Sequence, residues 1–253
     1  MRNAKKATTV AQALCTEMNY KKSGANWYRC VGEGILQTVT FQGLSERVED
    51  GSFVQQPAVA FRVDSMYDDI LWLSIPIGKL RRDLIPNVLP GVLRSKGKPY
   101  CFLGTEVEAR NMIDFGFSFL DGITSHEALA DALEHLDVCP TGMIRQNDSK
   151  KIIPYLLSGQ KSKAADVIRN VTEQSWEAYY NNCKTIAKYD SEKEKTKLIQ
   201  QLSNVTYILE CIENRDNCAI QSYLQNNYCK NRAHLSTLGV TISDPSAVPN
   251  ILI

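Results

Sequence analysis

The side chains best suited to hold something lie in one stretch and its neighbour, Met18–Gln42 and the strand that follows. Trp27, Arg29, Gln37, Thr40, Gln42 and Arg62 offer a large amphipathic ring, two guanidinium forks, two amides and a hydroxyl. Such groups on a sheet would suit a peptide or another polar ligand, because the forks and amides donate and accept in fixed directions. Their alternation is imperfect. Gln37 shares a face with Ile35, Val39 and Phe41, whereas Thr40 and Gln42 point the other way with Leu36 and Thr38. The plainer expectation is an antiparallel sheet with one solvated face, which these polar residues occupy.

Other chemistries find less in the sequence. The histidines are His126, His135 and His234; the first two are nine residues apart and share no helical face well, so surface positions near helix ends are expected and no metal site. Asp64, Asp68 and Asp69 lack the alternating ligands, central Gly and final Glu of a calcium loop, and read as a solvated turn. Neither a phosphate-cradling Gly-rich loop nor a nucleophile elbow occurs, so no cofactor is expected. A Cys–His pairing brought together by the fold stays open. The eight cysteines form no C-x-x-C pair; in a chain with a full core they read as small buried hydrophobes, which points to a reduced, cytoplasmic protein.

The totals agree with that picture. The chain has 253 residues, a net charge of +1 and 43% hydrophobic residues, enough for a sizeable core. Residues 1–148 carry 16 basic against 18 acidic residues (−2), and residues 149–253 carry 13 against 10 (+3). Neither half has the strongly basic balance of a nucleic-acid-binding domain. Lysines 150/151, 161/163 and 193/195/197 are candidates for such contacts, and the last group alternates with Glu192 and Glu194 as a solvated helix face does. Apolar runs such as Ile70–Ile77 are too short to span a bilayer, and Thr8, Thr9 and Gln12 interrupt any signal-peptide core.

Periodicity then supplies the elements that would position these groups. Residues 4–18 place Ala7, Val10, Ala11, Leu14 and Met18 on one helical face, and Lys21–Gly24 ends that helix as a turn. Trp27–Val31 and Ile35–Gln42 alternate around Gly32-Glu33-Gly34, which predicts a hairpin. Leu44–Gln56 reads as a long acidic connection, Pro57–Val63 and Ile70–Ile77 as strands, residues 78–98 as irregular and Tyr100–Leu103 as a short strand. Thr105 and Glu108 form a capping box before a helix, and Ser125 caps the next. A Pro/Gly/Asn-rich linker at 138–149 sets a boundary. Beyond it come a short helix at 152–157 and long helices over 161–188, from about 191, and over 217–231, with an extended tail from Leu238. A second capping box, Ser191 with Glu194, opens the middle one. Two long helices across a short turn pack antiparallel. The expected fold is α+β: an antiparallel sheet of about four or five strands packed with helices over residues 1–148, then a helical hairpin or bundle over 149–253.

Met18-Asn19-Tyr20-Lys21-Lys22, Trp27-Tyr28-Arg29 and Gly34-Ile35-Leu36-Gln37-Thr38-Val39-Thr40-Phe41-Gln42 together resemble the opening of a bacterial family known only as a domain of unknown function, number forty-three-oh-four in its series. Ala109–Leu136, with Asp114-Phe115-Gly116-Phe117-Ser118-Phe119-Leu120, resembles that family's later helix. The resemblance covers residues 4–160, implies an α+β domain with an antiparallel sheet and carries over no catalytic residue. Two functions follow as expectations. The first is a non-enzymatic protein-binding factor, a bacterial or phage accessory, immunity or defence-related protein whose partner is another protein. The second is an enzyme whose site assembles from distant residues, with Arg29, Arg62, Asp64, Asp114 and a histidine as raw material.

Overall fold

The computed structural model describes residues 2–32, 34–47, 53–68, 92–95, 98–102, 106–135, 149–186 and 191–242. The expected strand at Ile70–Ile77, Trp72, the Thr105 cap, the linker at 138–148 and the tail beyond residue 242 lie outside them.

Helix α1 (Arg2–Glu17) leads into a six-stranded antiparallel sheet in the order β1-β2-β3-β4-β6-β5. Its strands are β1 (Lys21–Ser23), β2 (Asn26–Val31), β3 (Ile35–Arg47), β4 (Phe53–Ser65), β5 (Val92–Ser95) and β6 (Lys98–Phe102). Helices α2 (Glu106–Asp121) and α3 (His126–His135) follow. After a 3₁₀ turn at Ser149–Lys151 come α4 (Ile152–Leu157), α5 (Lys161–Thr185), α6 (Ser191–Glu213) and α7 (Asn217–Thr237). The fold is α+β with a helical C-terminal region, as the periodicity predicts.

Three strand assignments differ from expectation. Lys21–Ser23 is the edge strand β1, paired with Asn26–Tyr28 across a turn in which Gly24 takes φ +59°. The long connection at 44–56 is mostly strand, since β3 and β4 stay in register from Ile35↔Ser65 to Arg47↔Phe53. A ladder of that length satisfies its own backbone groups, so polar side chains such as Ser45, Glu46 and Gln55 do not end it. Val92–Ser95, expected to be irregular, is β5 in a hairpin with β6.

Both faces of the central strands are covered. On one, α1, α2 and α3 pack Ala7, Ala11, Leu120, Leu129 and Leu133 onto Trp27, Ile35, Val39, Phe61 and Val63. Gly116 lets α2 come close, since a Cβ there would stand 2.2 Å from the Phe61 ring. On the other face, Tyr28, Leu36, Met66 and Tyr67 join one core with Ile152, Leu156, Ile168, Leu224, Tyr228 and Leu235 of the C-terminal helices. Over residues 35–41 of β3, which are buried without a break, the sheet is a middle layer and has no solvated face. A strand covered on both sides usually reads as continuously apolar. Here Gln37, Thr38 and Thr40 interrupt that pattern.

Helices α5 and α6 outrun the body. Ala164, Ala165 and Ile168 in the first part of α5 and Leu202, Ile208 and Cys211 in the second part of α6 are buried. Between them, among the described residues from 169 to 201, Tyr179 alone is buried. Its hydroxyl donates to the Ser191 carbonyl at 3.0 Å, tying the far ends of the two helices together.

Candidate functional site

Two polar clusters sit inside the body, and each is built from distant parts of the chain. The first contains Arg29 and Gln37, which face each other across β2 and β3. Arg29 Nε and Nη2 donate to Gln37 Oε1 at 2.9 and 2.7 Å, and Tyr20 Oη donates to the same oxygen at 3.1 Å. Gln37 Nε2 donates to the Leu120 carbonyl at 2.6 Å and the Ile123 carbonyl at 3.3 Å. Arg29 also reaches the Met18 carbonyl and pairs with Asp121 at the end of α2, and its guanidinium lies 4.6 Å from the Tyr20 ring centre. Burial pushes the Tyr20 phenol well above its usual value, so it stays a donor. This arrangement ties the ends of α1 and α2 to the sheet, with Gln37 buried at its centre and Asp121 exposed at its rim.

The other sequence candidates do not join it. Thr40 faces the opposite side and hydrogen-bonds Asn26 Oδ1 at 2.8 Å. Trp27 and Tyr28 are core residues, 6% exposed each; Trp27 Nε1 has no hydrogen-bond partner among the described residues. Gln42 pairs through its backbone with Ala58, and Arg62 with Thr38; their side chains lie outside the described part.

The second cluster gathers where β4 ends. Asp64 takes the Lys150 ammonium at 2.6 Å, with both side chains buried. Ser65 Oγ and His126 Nε2 are 3.0 Å apart, and Ser65 Oγ also accepts from the Tyr67 amide at 3.2 Å. The His126 ring, fully buried, lies 5.5 Å from the Tyr67 ring, and burial pushes its pKa down to about 4. From α7, Asn227 Nδ2 donates to the Tyr67 carbonyl at 3.2 Å, and Asn231 Nδ2 donates to the carbonyls of Met66 and Asp68 at 2.8 and 2.7 Å. The last helix thus reads the backbone of the turn that follows β4.

Several expectations are corrected at this cluster. His126 is a core histidine and does not lie on the surface. Asp64 lies in β4 and Asp68 in the turn after it, both buried, at 6% and 9% exposure. Lys150 and Lys151 are buried and so unavailable to a nucleic acid. Asn227 and Asn231 escaped sequence reading. Their only signal was an i, i+4 pair of amides among Leu224, Tyr228 and Leu235, which places them on the buried stripe.

Cys15, Cys30, Cys183, Cys211, Cys218 and Cys229 are free thiols. Burial raises Cys15 to about 12 and Cys30 to about 11, which keeps both as protonated thiols at neutral pH. Cys183, Cys218 and Cys229 are exposed, against the expectation of burial. Among the described residues no cluster of His, Cys, Asp and Glu could hold a metal ion, and no helix is long and apolar enough to cross a membrane.

The outer surface carries its own concentration of unsatisfied groups, on α5 and α6. Tyr180, Ile186 and Ile199 are 56%, 48% and 52% exposed. Trp176 is half-buried; its ring stacks at 6.0 Å on Tyr180 and meets Tyr179 edge-on at 5.7 Å. No family model, curated protein or solved structure matches the chain.

Proposed function

We propose that the protein is a non-enzymatic protein-binding factor and that the far half of the α5–α6 hairpin is its binding surface. The observation that carries this reading is exposed Tyr180 stacked on half-buried Trp176, with exposed Ile186 and Ile199, on a part of the hairpin outside the two cores. Exposed aromatics on a rigid support are what interface anchors are made of. The polar clusters of the body fit the same reading, because their described hydrogen bonds turn inward to backbone and neighbouring side chains. The resemblance of residues 4–160 to the family of unknown function adds no activity to it. The test is capture with immobilised wild-type protein and with a Tyr180→Glu, Ile199→Glu variant, followed by binding measurements on purified components. A partner that binds the wild type and loses the variant supports the reading. Partners retained equally by both would remove the hairpin from it.

A second reading, an enzyme, draws on one observation: Ser65 Oγ and His126 Nε2 at 3.0 Å beside the Asp64–Lys150 pair. In that reading neutral His126 is the general base and Ser65 the nucleophile. Both are closed to solvent, at 3% and 0% exposure, so substrate would need the turn after β4 to open. Labelling by a serine-reactive fluorophosphonate, lost in Ser65→Ala, is the expected sign. An unlabelled wild-type protein ends this reading.

A further inference from the structure

We draw no further inference here: the strongest candidate, the surface patch of exposed Tyr180, Ile186 and Ile199 on the far half of the α5–α6 hairpin, belongs to the reading already proposed, and nothing in the structure shows what covers it.

Discussion

His126 shows what one buried residue contributes. A histidine in an unfolded chain titrates near 6.5, and burial holds the folded ring to about 4. As pH falls through that window the unfolded protein takes up a proton that the folded protein refuses. The stability conferred by the neutral ring is therefore complete above about 6.5 and is lost on the way down to about 4, by roughly 3 kcal/mol in all. Urea unfolding of the wild type should show a midpoint that drops between about pH 7 and pH 4.5. His126→Gln can keep a hydrogen bond to Ser65 but has nothing to titrate, so its midpoint should fall less. Equal slopes for the two proteins would remove His126 as the cause. Gly116 makes a complementary case by what it lacks. Its missing Cβ is the space taken by the Phe61 ring, and Gly116→Ala should cost about 1–3 kcal/mol despite the better helix propensity of alanine. A variant as stable as the wild type would mean that α2 can shift away from β4 without loss.

At the scale of elements, the two polar clusters fasten layers together. Lys150 precedes α4 and Asp64 ends β4, so their ion pair joins the helical region to the sheet. Breaking it from one side leaves a buried charge: Lys150→Met should cost about 3–5 kcal/mol, whereas Lys150→Met with Asp64→Leu should recover most of that loss. Chemical denaturation of the two single variants and the double variant closes the cycle, and a double variant as unstable as the sum of the singles would deny the coupling. The helices themselves were legible, because a 3.6-residue period survives whatever they pack against: 106–121, 126–135, 152–157 and 217–237 all lie close to where their apolar stripes and caps put them, and Ser125 Oγ does accept the Ala128 amide. Strand extent was less legible. Nothing local distinguishes Leu44–Arg47 as a loop from the same residues as a strand held by thirteen successive pairs along β3 and β4. Arg29 and Gln37 were expected on a solvated sheet face, and in the fold they hydrogen-bond to each other between β2 and β3. A polar residue on a strand faces either water or a partner supplied from elsewhere, and here the partners are Tyr20, Asp121 and the Leu120 and Ile123 carbonyls, which only the fold brings near.

The whole molecule divides by energetics more than by sequence position. Residues on either side of the linker at 138–148 share one core, formed by Tyr28, Leu36 and Tyr67 with Ile152, Leu224 and Tyr228, so the helical region is not an appendage to the sheet. The appendage is the far half of the hairpin. At about 1.5 Å per residue, α5 is about 37 Å long, and only its first part reaches the shared core. Joining Gln174 to Gln200 through a short Gly-containing turn would remove Trp176, Tyr180, Ile186 and Ile199 while keeping the buried Ala164, Ile168, Leu202, Ile208 and Cys211. Because the removed segment adds no residue to either core, the shortened protein should unfold within about 1 kcal/mol of the wild type, since connections of a few residues are ordinary between antiparallel helices. On the reading proposed above it should also lose the partners that the wild type captures. The opposite truncation, ending the chain before α7, removes Leu224, Tyr228 and Leu235 from the core and both asparagines from the turn after β4, and should leave no cooperative unfolding transition. Denaturation curves for the two truncations decide the matter. A large loss on shortening the hairpin would show that its far half stabilises the body, and the separation of a folding part from a binding part would fail.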